Sequence, residues 1–131
     1  MSCADVCLDH GYDNDNEFYA ESIVTARKVH TCCECSDAIT AGARYERSAG
    51  KADGVIWVKT TCASCSEIRR AFVCVTWIFG ELWTSIEEEM FPIWNERGPI
   101  DCLAKLETIE ARNKCRQWYD RWRQDQFVDA P

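Results

Sequence analysis

At 131 residues, 47% hydrophobic and 28% charged, the chain is too apolar for disorder and large enough for one compact domain or a small module with an extension. Its net charge is −7, a field that repels phosphate backbones and disfavours binding to free nucleic acid. No twenty-residue apolar run occurs, and residues 1–16 are polar and acidic rather than leader-like, so the expectation is a soluble, unsecreted protein of the cytoplasm.

The charge is unevenly placed. Residues 1–22 hold six acids and no Lys or Arg, residues 81–96 hold five acids and no base, and the segments between and after them are mildly basic. In the acidic first segment lie Cys3, Cys7 and His10. As metal-ligating residue types they are a candidate second metal site, to be completed by His30 or Cys33, but their spacing is loose and no partner pair is evident, which favours the thiols of an acidic arm. The Asp13-Asn-Asp-Asn16 run lacks the Gly and Glu of a calcium loop.

Residues Ser22–Thr31 have the character of a strand leading into the strongest motif of the chain. This is Cys32-x2-Cys35, twenty-six residues, then Cys62-x2-Cys65. Two such pairs suit one tetrahedral ion, because two intervening residues let a tight knuckle aim both sulfurs inward. Four thiolates close the coordination shell, so the cofactor expected is structural Zn2+ and not a catalytic metal with an open position. Cys33 falls at the wrong spacing and is taken as a bystander. Ten cysteines in this length would otherwise suggest disulfides, but the paired spacing favours metal and reduced thiols.

Between the pairs, Ala43–Ser48 and Val55–Thr60 alternate in character around Gly50-Lys-Ala-Asp-Gly54, which predicts a β-hairpin. Trp57 falls on the side opposite Ile56 and Val58, as a core residue or an exposed recognition residue. After Cys65, the spacing of Ile68, Phe72, Val75, Phe79 and Leu82 predicts one long buried helix, with Cys74 as a small hydrophobe in it. Knuckle, hairpin, knuckle and helix describe a treble-clef-like zinc finger of the α+β class.

Thr84 or Ser85 is placed to cap an acidic helix whose first turn holds Glu87, Glu88 and Glu89. Together with Glu81 these carboxylates are the candidate contact surface for a partner. Beyond Pro92 and Arg97-Gly-Pro99, residues from Ile100 to about Phe127 carry an amphipathic stripe through Leu103, Leu106, Ile109, Cys115, Trp118 and Trp122. Arg112, Lys114, Arg116, Arg121 and Arg123 lie among its aromatics, a mixture that also suits stacking on nucleic acid. The expected organisation is an acidic arm over residues 1–16, a four-cysteine module over 17–83, and helices over 84–131 packed on that module.

The block from Glu17-Phe-Tyr19 through Thr25-Ala-Arg-Lys28, Cys32-Cys-Glu-Cys35, Tyr45-Glu-Arg47, Asp53-Gly54 and Thr61-Cys-x2-Cys65, on to Ile78-Phe-Gly-Glu-Leu-Trp83, resembles a group of small phage and prophage proteins. The resemblance implies zinc and a phage origin, hence the cytoplasm of a bacterial host. By analogy with phage accessory proteins of this size, many of them acidic, it also points to anti-defence inhibitors such as anti-CRISPR proteins. The function expected is a non-enzymatic factor that binds and inhibits a host protein complex through a basic surface on that complex, with a homodimer left open. The alternative is a nucleic-acid-binding zinc-finger regulator of transcription. Catalytic residues are expected to be none, since His10 and His30 sit in no recognisable catalytic setting.

Overall fold

The computed structural model describes residues 7–9, 16–74, 77–97 and 100–128. Its elements are β1 (Asn16–Thr25), β2 (His30–Thr31), β3 (Ala38–Ile39), β4 (Arg44–Ala52) and β5 (Val55–Cys62), then α1 (Ala63–Phe72), α2 (Leu82–Glu89), α3 (Phe91–Arg97), α4 (Ile100–Leu103) and α5 (Ile109–Val128). The class is α+β. One antiparallel sheet has the order β1-β4-β5, and β2 and β3 form a separate two-stranded ribbon. No helix among the described residues is long and apolar enough to cross a membrane.

The hairpin is longer than its alternation suggested. Strand β4 runs through Gly50 to Ala52, and the reversal is made by Asp53 and Gly54 alone, both at positive φ (52° and 77°). Two consecutive positive-φ residues give the twist that matches a tight hairpin, and Asp-Gly is among the pairs that tolerate it. Gly50 is there to be covered: Trp57 pairs with it across the strands, and a Cβ at Gly50 would meet the Trp57 ring at 2.4 Å. Trp57 in turn packs against Tyr19 and Phe79. On the opposite face, Phe18 and Ile56 flank Lys51 in register, and these two side chains and Val58 are exposed.

The long helix expected after Cys65 is not formed. Helix α1 stops at Phe72, and Val73 is extended (φ −96°, ψ 118°). Val73 is β-branched, and such residues favour extended backbone; Val75 of the expected stripe lies outside the described residues. Leu8 adds a short parallel bridge there, its N–H donating to the Phe72 carbonyl at 2.8 Å and its carbonyl accepting from Cys74 N–H at 3.2 Å. Cys74 is therefore not a core hydrophobe: it is exposed and disulfide-bonded to Cys7, with Cα atoms 5.1 Å apart.

Two further boundaries move. Helix α2 begins at Leu82 with Glu81 before it and no side-chain cap, so Thr84 and Ser85 lie inside it. Glu87 to Glu89 then occupy its last turn, not its first, where the helix dipole disfavours carboxylates. The helix predicted from Ile100 onward is broken between Leu103 and Ile109. Thr108 caps the second piece, its Oγ1 accepting from Ala111 N–H at 3.1 Å, while the Glu67 carboxylate of α1 accepts from Glu107 N–H, Thr108 N–H and Thr108 Oγ1.

The core lies between α1 and the later helices. Ile68 and Phe72 of α1 are fully buried along with Leu82 and Ile86 of α2, and Met90, Phe91, Leu106, Ala111 and Cys115 are buried with them. Phe91, Trp94, Tyr119 and Trp122 meet at ring separations of 5.2 to 6.2 Å.

Candidate metal centre

The first cysteine pair sits on the turn that joins β2 to β3. Ser36 N–H donates to the Cys32 carbonyl at 3.0 Å and Cys32 N–H to the Asp37 carbonyl at 2.9 Å, with Ser36 at φ 66°. That left-handed residue closes the knuckle. Cys33 N–H donates to the Thr60 carbonyl at 2.8 Å and so fastens the knuckle to β5. The second pair straddles the junction of β5 and α1, where Cys62 is the residue capping the helix and its sulfur accepts from Cys65 N–H at 3.4 Å. A thiolate there lies at the positive end of the helix dipole.

These two turns bring Cys32, Cys35, Cys62 and Cys65 together, with all four sulfurs within 4.8 Å of one another. Cys32 and Cys65 are buried, Cys35 and Cys62 half-buried. The Cys35 and Cys62 sulfurs are 3.9 Å apart. A regular tetrahedron with metal–sulfur bonds of about 2.3 Å has sulfur–sulfur edges of roughly 3.8 Å, so the donor set fits a tetrahedral ion. Backbone N–H groups of Glu34 and Cys62 donate to the Cys32 sulfur at 3.4 and 3.3 Å. Such donors stabilise the thiolate and fix its direction.

The proton distribution agrees with this arrangement. Sharing with Cys32, and then with Cys65, pulls the Cys62 thiol down to about 6. Cys32 is lowered to about 7, chiefly by its hydrogen bond with Cys35. Cys65, the most enclosed, is driven up by the other three sulfurs, Cys32 first. A cation in the centre would supply what Cys65 needs to lose its proton.

Other sequence candidates are placed elsewhere. Cys33 turns its sulfur onto Thr61 Oγ1 at 3.4 Å, and burial pushes its thiol up to about 11. Cys7, considered above as a ligand of a second site, is instead paired covalently with Cys74, while Cys3 and His10 lie outside the described residues. The His30 ring lies tilted against Tyr45, centroids 5.0 Å apart. Of the acidic candidates, Glu87 accepts from Trp118 Nε1 at 2.7 Å, whereas Glu81, Glu88 and Glu89 are exposed.

Behind the cluster is a buried ionic network that the sequence reading missed. Glu46 of β4 is fully buried and ion-paired with Arg69 of α1, and it also accepts from Arg70 Nη2 at 2.9 Å and Ser66 Oγ at 2.8 Å. Burial works to raise the Glu46 carboxyl, but the Arg69 charge and the hydrogen bonds from Ser66 and Arg69 prevail and hold it below the ordinary value. Glu34, inside the first knuckle, accepts from Gly80 N–H at 2.9 Å and Leu82 N–H at 3.2 Å. Its own carboxyl is raised, by burial. Arg69 stands between the two carboxylates under Trp77 and Phe79. In the sequence Glu46 alternates with Arg44 and Ser48 on the polar side of its strand, so only the helix packed over that side reveals it as buried.

The fold and the cluster define an α+β protein with a four-cysteine centre compatible with a metal ion. No protein-family model matches the chain, and neither a curated protein nor a solved structure matches it at a significant level.

Proposed function

We propose that the four cysteines hold one structural Zn2+ in a treble-clef-like finger, and that the chain works as a binding protein and not as a catalyst. The closed tetrathiolate geometry, with all four sulfurs within 4.8 Å, carries the first half. Sulfur-only tetrahedral donor sets select zinc or iron, and zinc needs no redox partner. Four protein ligands leave no position for an activated water.

The partner proposed is a protein complex with a basic surface. Support comes from the acidic stretches at residues 1–22 and 81–96 and from exposed Glu81, Glu88 and Glu89. Exposed Phe18, Ile56 and Val58 on one sheet face are of the kind that protein contacts cover. The resemblance to phage and prophage proteins makes an anti-defence inhibitor of the anti-CRISPR kind the sharpest form of this proposal. The nucleic-acid alternative is weakened by the last helix, since Trp118 stacks on Trp83 with centroids 4.1 Å apart and Trp122 packs on Phe91.

Native mass spectrometry of protein purified without added metal tests the metal half. One zinc per chain, lost in Cys62→Ser, is the expected result, and a metal-free folded chain contradicts it. Gel shift on duplex and single-stranded DNA tests the other half: no retardation is expected at physiological salt, and salt-sensitive binding would favour the regulator instead.

A further inference from the structure

The cysteine cluster has a fifth neighbour that comes from the far end of the chain. Lys114 of α5 places Nζ 3.1 Å from Cys35 Sγ and 3.4 Å from Cys62 Sγ. Cys35 belongs to the first knuckle and Cys62 to the second, so one ammonium spans both halves of the site. Its third donor goes to Asp37 Oδ2 at 3.0 Å. An ammonium has three donors, and here all three are directed.

A surface lysine paired with an exposed aspartate would be worth little. Lys114 differs in that its side chain is only 19% exposed, against 68% for Asp37, and it is held on a fixed helix whose neighbouring Ala111 and Cys115 are fully buried. Immobilising and half-burying a lysine is costly, and the two sulfurs are what it meets there. A tetrathiolate around one dication carries a net charge of −2, partly buried. Backbone N–H groups soften that charge, but a full positive charge on the open side removes half of it.

We infer that Lys114 is an outer member of the metal centre, neutralising one of its two net negative charges and tying the docking of α5 to metal occupancy. This rests on the cluster being a metal site. By linkage, an ion that strengthens the thiolate–ammonium contacts strengthens the docking of α5 by the same factor, and a docked α5 strengthens metal binding. The sulfurs Lys114 touches are also shielded from electrophiles, since a hydrogen-bonded, charge-paired thiolate is a weaker nucleophile.

The test is a zinc competition titration of the full chain against a chromophoric chelator, for wild type, Lys114→Met and Lys114→Arg, with iodoacetamide labelling of the loaded proteins mapped by mass spectrometry. Lys114→Met is expected to bind one zinc at about 10- to 100-fold lower affinity, the usual penalty for losing an outer-sphere partner. Cys35 and Cys62 should be alkylated faster than in wild type while Cys32 and Cys65 change little, and Lys114→Arg should restore most of both effects. Should the Met variant not fold, Lys114→Gln, which keeps an N–H donor without the charge, makes the same comparison. Equal affinity and equal labelling in wild type and the neutral variants overturn the inference, as does an Arg variant as impaired as Met. Wild type that binds no zinc refutes the metal site itself, a separate failure.

Discussion

The two halves of the molecule are held by different means. From β2 to the start of α1, the chain is pinned by directed contacts: backbone donors on sulfur, a left-handed Ser36, and buried Glu46 and Arg69 facing one another. From α2 to α5 it is held by interlocking rings and aliphatics, Phe91, Trp94, Tyr119, Leu82 and Ile86. The first kind fails abruptly when one partner is lost, because a buried polar group or charge is then uncompensated. The second fails by degrees, in proportion to the volume removed. Lys114 joins the two halves.

That contrast can be broken first at the metal. Cys65→Ser should abolish stoichiometric zinc binding and remove most of the roughly 10 to 16 kcal/mol that structural zinc supplies in small fingers. Circular dichroism should then show loss of the sheet signal, with helical signal from the second half retained in part. Full retention of the sheet by the metal-free variant would mean that the directed contacts suffice without an ion.

Glu46→Ala comes next. It strands the Arg69 guanidinium in the core, and denaturant unfolding of the zinc-loaded chain should show a loss of about 3 to 5 kcal/mol. Its counterpart in the helical half, Phe91→Ala, should cost a comparable 3 to 5 kcal/mol through the cavity it leaves, but with zinc stoichiometry unchanged. Metal loss in Phe91→Ala would show that the halves do not fail separately.

Acid provides a subtler distinction. Glu46 titrates below its ordinary value in the folded state, so its ion pair contributes fully above the unfolded carboxylate value, about 4.3, and the contribution is lost as pH falls through the lower folded value. Stability between about pH 5 and 3 should therefore fall less steeply in Glu46→Gln than in wild type. Smallest of all, Gly50→Ala should cost about 1 to 3 kcal/mol, because the new methyl would meet both the Trp57 ring and, at 2.9 Å, the Phe18 carbonyl oxygen of the neighbouring strand. A thermal melt without change would mean that the ring and the β1 backbone both give way freely.

The four-cysteine cluster was legible in the sequence for a physical reason: a coordination geometry demands a fixed spacing, and Cys32, Cys35, Cys62 and Cys65 display it. The hairpin was legible through strand alternation, although its turn was placed too broadly because Gly50 was read as a reversal and not as the floor beneath Trp57. The helical half was less so. The run Ala71–Phe79 is apolar at nearly every position, and an unbroken apolar run does not say where a helix gives way to extended chain. Cys74 pairs with a residue 67 positions away, and nothing local marks such a partner. Lys114 and Glu46 read as ordinary surface charges until α5 and α1 are brought against them.

X-ray absorption at the zinc edge, on protein purified without added metal, bears most directly on the central claim. The account predicts one zinc per chain with four sulfur scatterers at about 2.3 Å and no nitrogen or oxygen shell. A shell containing nitrogen or oxygen, or a folded chain with no metal, would contradict the closed four-cysteine centre.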